Sequence, residues 1–336
     1  MPGGRPSRQA VYQRLEDALA DLHTRLGGMP TPAEASAIWD EIWHHEAHNS
    51  TAIEGNTLIL SQVRKLLDEG RAVGSKELKE YMEVEGYAKA ARWVYEQAHG
   101  MATWSDGDLL TLHEVRSVHN RVLSLVWDVS PHPHALPEEA PGNWRQHDLH
   151  EFGDGMKPPT FPEIDALMRD WVDQVNTLTE PDEAMPFPER LARAHTRFEC
   201  IHPFLDGNGR TGRLLLNLVL VRLGYPPAVI FKNDRSRYLA ALQRADRGEY
   251  GPLGELLARA LTDNLHRFIV PAVAGPARLV PLASLASTDS SITANALRTA
   301  AVRGRLRAQK QPNGTWMSSR NWVDDYLQTR YRRGRS

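Results

Sequence analysis

The stretch LLLNLVLVRLG, residues 214–224, is apolar on nearly every side of a helix, so it must be surrounded by other elements rather than lie on a surface. What precedes it tightens the constraint. RLARAHTRFECI (190–201) sets Leu191, Ala194, Phe198 and Ile201 at helical spacing. Between the two helices lies HPFLDGNGRTGR (202–213), which holds a His, an acid, three glycines, an Asn and two arginines. This loop therefore sits at a helix N-terminus inside a core, where an ordinary surface connection would not need such chemistry.

The same periodicity recurs along the chain. Val11, Leu15, Leu19 and Leu22 share one face of a first helix, and helical patterns follow over 32–50, 58–70, 81–100, 106–128, 162–176, 237–248 and 253–269. From Ser130 to Pro162 the pattern breaks into Pro, Gly and His, and a long irregular loop inside a helical domain is often functional. The expected fold is all-α, with a small β-hairpin at most in that loop. Beyond a Pro/Ala/Gly-rich linker, PLASLAST and SITANALRTAAVRG read as two short helices, RLRAQKQPNGTWMSS as a hairpin around Pro312-Asn313-Gly314, and RNWVDDYLQTRY as a closing helix. The expected divisions are 1–110 for an N-terminal helical region, 111–270 for the core domain, 271–280 for the linker and 281–336 for a winged helix-turn-helix.

Hydrophobic residues make up 41% of the 336, enough for a packed core, and the single cysteine excludes an intrachain disulfide and suits a reducing cytoplasm. No run of about 18 apolar residues is present to cross a membrane, and MPGGRPSRQA lacks the apolar stretch of a signal peptide. The net charge of −2 hides an asymmetry. Residues 276–336 hold eleven Arg and Lys against three Asp, a surplus of eight that leaves the rest of the chain at −10. A basic tail on an acidic body implies two units with different partners.

In the loop, Gly207-Asn208-Gly209 at a helix start lets backbone N–H groups face an anion with no Cβ in the way. Arg210 and Arg213, three apart, can reach the same anion, and two guanidinium forks suit a polyphosphate better than one carboxylate. Asp206 adds a hard oxygen ligand of the kind Mg²⁺ on phosphates requires, and His202 is the group able to take a proton at neutral pH. Base, metal ligand and anion cradle together describe phosphoryl-type transfer. The pattern of a P-loop is absent.

The loop matches, at every defined position, the signature H-x-F-x-(D/E)-G-N-G-R-x-x-R, and the chain resembles the Fic family over roughly residues 30–270. The resemblance implies a helical enzyme that transfers AMP from ATP to a hydroxyl side chain of a target protein or of itself. His202 would then deprotonate the hydroxyl and Asp206 would hold Mg²⁺. Gly207, Asn208 and Gly209 would form the anion hole, Arg210 and Arg213 would hold the β- and γ-phosphates, and Phe204 would anchor the loop. Thr211 and Gly212 complete the implied ATP-binding set. GNWRQHDLHEFGDGMKPPTFP (142–162) stands where the family's target-clamping β-hairpin flap lies, with Gly153-Asp154-Gly155 as its turn. Tyr238 is a candidate adenine contact, with plain helix packing as the alternative. STAIEGN (50–56) fits the family's inhibitory signature (S/T)-x-x-x-E-(G/N) through Ser50, Glu54 and Gly55, and a Glu54–Arg213 pair would occupy the γ-phosphate site.

Other patterns carry less. HHEAH (44–48) is not H-E-x-x-H, and a solvated histidine face is expected there rather than zinc. PHPHALP and HDLHEF read as loop, Cys200 as a buried thiol at a helix end rather than a nucleophile paired with His202, and the scattered Trp as core. The tail resembles excisionase-like and MerR-like DNA-binding folds, with Arg303, Arg305, Arg307 and Lys310 meeting the phosphates of duplex DNA; protein docking or homodimerisation is the alternative. The leading expectation is an autoinhibited protein adenylyltransferase. Its rivals are a DNA-binding regulator whose Fic domain senses ATP, which an intact His202 disfavours, and a Fic-type transferase of another phosphate-containing group.

Overall fold

Helix α8 (Asn208–Arg222) is buried along almost its whole length, and the other helices are arranged around it. In this computed structural model the described residues are 6–26, 28–32, 35–99, 108–153, 155–273, 279–286, 292–311 and 313–332. Before α8 come α1 (Arg8–Leu26), α2 (Ser36–Ile53), α3 (Leu60–Glu69), α4 (Leu78–His99), α5 (Leu112–Val129), α6 (Ile164–Asn176) and α7 (Phe187–Ile201). After it come α9 (Arg235–Ala245) and α10 (Gly251–Asn264), then a π-turn over Leu265–Ile269 and α11 (Val270–Val273).

The polar residues of α8 are paired rather than exposed. Asn217 donates to Glu46 on α2 at 2.7 Å and accepts from the Ala228 N–H at 2.8 Å. Arg222 pairs with Glu114 at 2.6 Å and donates to the Leu109 carbonyl. Glu114 is also the third residue of a capping box with Thr111, so α5 begins at Leu112, and Leu109 and Leu110, expected as helix, are instead buried irregular chain. Helix α4 lies across both α5 and α8. Its Gly86 meets α5 so closely that a Cβ would stand 2.6 Å from the Val122 carbonyl oxygen.

The C-terminal unit has three short antiparallel strands in the order β1-β3-β2, with β1 Val280–Pro281, β2 Gln309–Lys310 and β3 Trp316–Ser318. The expected hairpin is β2–β3, closed by the Gly314 N–H donating to the Gln311 carbonyl. Strand β1 pairs with the other side of β3; its two residues inside a proline-rich stretch gave no periodicity to read. PLASLAST forms a single 3-10 turn over Leu282–Leu285, α12 spans Ala294–Val302 and α13 spans Arg320–Arg332. Leu282, Leu285, Leu297, Leu306, Met317 and Val323 form the buried interior of this unit. It rests on the helical body through a 3.0 Å hydrogen bond between His266 and Ser284.

Two expectations change. The chain stays helical through Val273, into the stretch assigned to the linker, and the π-turn widens the helix just before Pro271, which lacks the N–H an α-helix would bond back. The turn residue Pro312 and the whole of 274–278 lie outside the described residues. The loop of 142–162 contains no strand among its described residues, although a turn closes at its tip where the Phe152 N–H donates to the Met156 carbonyl. Asp154 of the expected turn lies outside the described residues. One leg carries Pro158 and Pro159, which have no N–H to give a ladder, so the flap is an irregular loop and not a β-hairpin.

The α4–α5 contact has a direct test. Gly86→Ala is expected to lower stability by about 1–3 kcal/mol, since the new methyl meets backbone that cannot turn aside. Denaturant unfolding measures this, and an unchanged midpoint would refute the close approach.

Candidate active site

His202 ends α7 with φ +49° and ψ +60°, the one non-glycine residue with positive φ among the described residues. A left-handed residue with a Cβ is strained, so its surroundings must hold it there. The Arg145 guanidinium does so by donating to the His202 carbonyl at 3.0 Å. The ring is fixed separately. Its Nδ1 lies 3.2 Å from the Glu199 carbonyl, which can only accept, so Nδ1 carries the proton and Nε2 keeps its lone pair. Burial pulls the imidazole down to about 4 against the opposing hydrogen bond to Glu199. At pH 7 it is neutral and able to take a proton. The Phe152 ring, at the tip of the flap, lies 4.9 Å from it.

The loop that follows is stapled from inside. Phe204 is wholly buried, stacked on His119 at 3.6 Å and against Trp144. Asn208 turns its side chain inward, accepting from the Phe204 N–H at 3.0 Å and donating to the Phe204 carbonyl at 2.8 Å. Only its backbone N–H is left for an anion. Gly207 opens α8 in the left-handed region, where a Cβ would stand 2.2 Å from Leu123. His119 reads the same corner from α5: Nδ1 accepts from the Gly142 N–H at 2.8 Å, which fixes Nε2 as the donor to the Asp206 carbonyl at 2.9 Å.

At the mouth of α8 the charged groups converge. Asp206 accepts from the Gly207 N–H at 2.5 Å and from Arg210 at 3.2 Å, both through Oδ1. Burial opposes its charge, but Arg210 and that N–H outweigh it and hold the carboxyl below its ordinary range. Arg210 is 3% exposed, yet its Nε and Nη1 make no hydrogen bond, and Nη1 stands 3.4 Å from Glu83. Arg213 is engaged by α2 through its Nε and Nη2. It donates to the Ser50 hydroxyl at 2.8 Å, to the Ser50 carbonyl at 3.0 Å and to Glu54 at 2.7 Å. Burial resists the charge on Glu54, but the Arg213 guanidinium prevails and keeps its carboxyl below the usual range. A Cβ at Gly209 would lie 2.4 Å from that carboxylate, so Glu54 fills the hollow that the bare glycine leaves.

Helix α2 ends at this ion pair because Gly55, at φ +105°, turns the chain back with its N–H on the Ala52 carbonyl. The rest of α2 is anchored. Glu46 is buried and accepts hydrogen bonds from Tyr87, Tyr95 and Asn217. His44, His45 and His48 are buried too, which corrects the expected solvated face. His44 pairs with Asp68, His45 with Glu41, and α2 is enclosed by α3, α4, the turn over 232–234 and the π-turn. No cluster of metal-ligating side chains occurs among the described residues.

The structure thus brings His202, Asp206, Gly207, Gly209, Arg210, Arg213, Ser50 and Glu54 into one site. Three further sequence candidates are buried, Tyr238 among them beside Arg213. Thr211 is buried at 0% exposure, and Gly212 packs on α7, where a Cβ would stand 2.4 Å from Glu199 and 2.9 Å from Phe198. Tyr238 is 1% exposed and bonds His195 at 2.7 Å, so its ring offers no open face. The thiol of Cys200 donates to Asp246 at 3.0 Å rather than to His202. Sequence reasoning passed over Arg145, His119 and Glu46, because none stands in the loop whose composition drew attention.

Residues 109–220 match the family described as Fic/DOC. The chain carries a Fic/DOC domain. That span includes His119, Arg145 and the whole 202–213 loop, while Ser50 and Glu54 lie before it. The chain is 33% identical over 253 residues to the protein adenylyltransferase Fic of Culex quinquefasciatus, covering 74% of this chain and 46% of that one. It spans about half the length of the curated relatives it matches. A Fic domain-containing signaling protein from Bacteroides thetaiotaomicron superposes with TM-score 0.63 at 25% identity, over 78% of this chain and 95% of that one. A Fic family protein from Desulfovibrio desulfuricans, 21% identical, shares the fold with TM-score 0.55 over 94% of this chain and 97% of its own.

The burial of His202 is measurable without any substrate. Its imidazole is expected to stay neutral, with the proton on Nδ1, until about pH 4. Nitrogen-15 NMR of the ring follows the titration, and a midpoint at the ordinary ~6.5 would refute the buried, carbonyl-bonded ring.

Proposed function

We propose that this chain is a Mg²⁺-dependent protein adenylyltransferase held in check by its own Glu54. The observation that carries the reading is the position of Glu54: it closes on the distal arginine of an anion cradle that starts beside a neutral, lone-pair-bearing His202. In the reaction, the target's hydroxyl oxygen attacks the α-phosphorus of ATP while His202 Nε2 takes its proton. The bond from that phosphorus to the bridging oxygen breaks, and pyrophosphate leaves into the cradle. The N-terminus of α8 and the Arg210 Nε, which makes no hydrogen bond among the described residues, suit its charge. Asp206 is the residue that would hold Mg²⁺, since it is ionised and its Oδ2 accepts no hydrogen bond among the described residues. The ion would supply charge neutralisation on the phosphates.

With Glu54 in place, Arg213 has no free fork for a γ-phosphate, so bound ATP sits out of line with the attacking oxygen. Glu54→Gly is expected to raise AMP transfer on the order of 100-fold, more in rate than in nucleotide affinity, because it is geometry that is restored. Arg213→Ala is expected not to do so, since it removes the inhibitory pair and the phosphate ligand together. His202→Ala in the Glu54→Gly background is expected to cost roughly 10²–10⁴-fold in transfer with ATP still bound. Intact-mass analysis of protein incubated with Mg-ATP checks all three. Equal rates for the parent and Glu54→Gly would overturn the inhibition, and a gain of one phosphate instead of AMP would favour the rival group transfer.

For the tail we propose a winged helix-turn-helix that binds duplex DNA. In support, Arg303, Arg305, Arg307 and Lys310 are exposed beside α12 and the β2–β3 hairpin, and Arg307 is ordered over the Trp322 ring at 4.1 Å. Binding is expected to weaken steeply with salt, as phosphate contacts do. Fluorescence anisotropy with a random duplex at low salt tests it, and no binding would favour docking of a protein or a second copy.

A further inference from the structure

Arg145 is a buried cation without a carboxylate partner among the described residues. It is 0% exposed, and its guanidinium spends its donors on three backbone carbonyls: His202 at 3.0 Å, His147 at 2.8 Å and Pro159 at 2.6 Å. Its own N–H donates to the next carbonyl of the loop, Pro203, at 3.0 Å. Burying a charge on neutral acceptors is unfavourable, and an apolar residue would fill the space more cheaply if filling were the need. What the planar fork achieves is a fixed distance between three strands of chain. Two are the legs of the flap, at residues 147 and 159. The third is the left-handed backbone of His202, whose carbonyl is turned away from the helical ladder and needs a donor.

We propose that Arg145 is a positioning residue of the transfer reaction, coupling the flap to the catalytic histidine. It holds His202 in its strained conformation and spaces the flap legs with the same group. A target segment that docks along the flap therefore meets an imidazole whose placement depends on the same fixture. The Phe152 ring against His202 joins the two at the flap tip. The charge contributes as well, because after burial it is Arg145 that adds to the lowering of the His202 proton affinity. The inference rests on His202 acting as the base.

The test uses Arg145→Lys and Arg145→Gln in the Glu54→Gly background. Both are expected to bind Mg-ATP within about threefold of their parent, because the cradle of Gly209, Arg210 and Arg213 is untouched. AMP transfer is expected to fall on the order of 100-fold, in kcat and not in the KM for ATP. In Arg145→Gln, where the charge is lost, the acid limb of the rate is expected to rise above about pH 4, and the ring NMR of His202 to follow it without nucleotide. Lysine, with one centre for three carbonyls, restores the acid limb but not the rate. Variants that transfer at the parent rate would overturn the proposal. So would a loss of rate matched by loss of ATP binding with the His202 titration unmoved, or variants that both fail to fold, which would assign Arg145 to packing. If the Glu54→Gly parent transfers no AMP, the proposed function falls, and the His202 titration still decides whether Arg145 sets the imidazole.

Discussion

A guanidinium with almost no access to water must be surrounded by oxygens, and Arg213 is the one on which the site turns. Its donors are met by Ser50 and Glu54, at the end of a helix more than 150 positions away in sequence. That demand welds α2 to α8 and makes the N-terminal helices part of the Fic/DOC site, although the matched span begins only at residue 109. It also sets the chemistry of the pair. Glu54 remains ionised because Arg213 outweighs its burial, so mild acid does not separate them. Only a competitor with its own negative charge can take the fork.

Around this contact the neighbouring acids and bases are separated by environment. Burial raises Glu199 to about 8, against the pull of Arg213, so it is a neutral acid at pH 7 under Gly212. Burial lowers His195 to about 3, with Arg213 adding to the effect, so it too is neutral and free to bond Tyr238. Arg210, Arg213, Asp206 and Glu54 thus gather at the mouth of α8, with Glu83 beside Arg210. The layer beneath them is polar without being charged, which suits a surface meant for a polyphosphate.

Much of this was legible before any coordinates. The all-round apolar run of 214–224 announced a central helix, and the composition of the loop before it announced the cluster of charges and bare backbone at its start. Ser50 and Glu54 were picked out by their resemblance to the family's inhibitory signature, and the tail hairpin by its Asn-Gly turn. The failures share a cause. Arg145 and His119 act through backbone carbonyls and N–H groups, which leave no mark in residue types. The histidines of α2 were read as solvated because their own helix carries charges; only the helices packed on both sides bury them. The hairpin flap was expected from the resemblance alone, and Pro158 and Pro159, two residues in plain view, have no donors to give it a ladder. Thr211, Gly212 and Tyr238 were chosen by proximity in sequence or by resemblance, and sequence does not say how deeply a helical residue is buried.

The anchoring of Glu46 bears on how fast the site can change state. Had α2 been a plug resting on the surface, freeing Arg213 would mean undocking a helix, a collective motion of microseconds to milliseconds or slower. Three hydrogen bonds to a buried carboxylate from Tyr87, Tyr95 and Asn217 remove that route. What is left is the last turn: a half-exposed Glu54 next to a glycine already in a left-handed conformation. Its side chain can leave the guanidinium by rotating about its own bonds, on the nanosecond scale of an exposed residue. On the proposed inhibition, the held and released forms would share the same size, the same helix content and the same core.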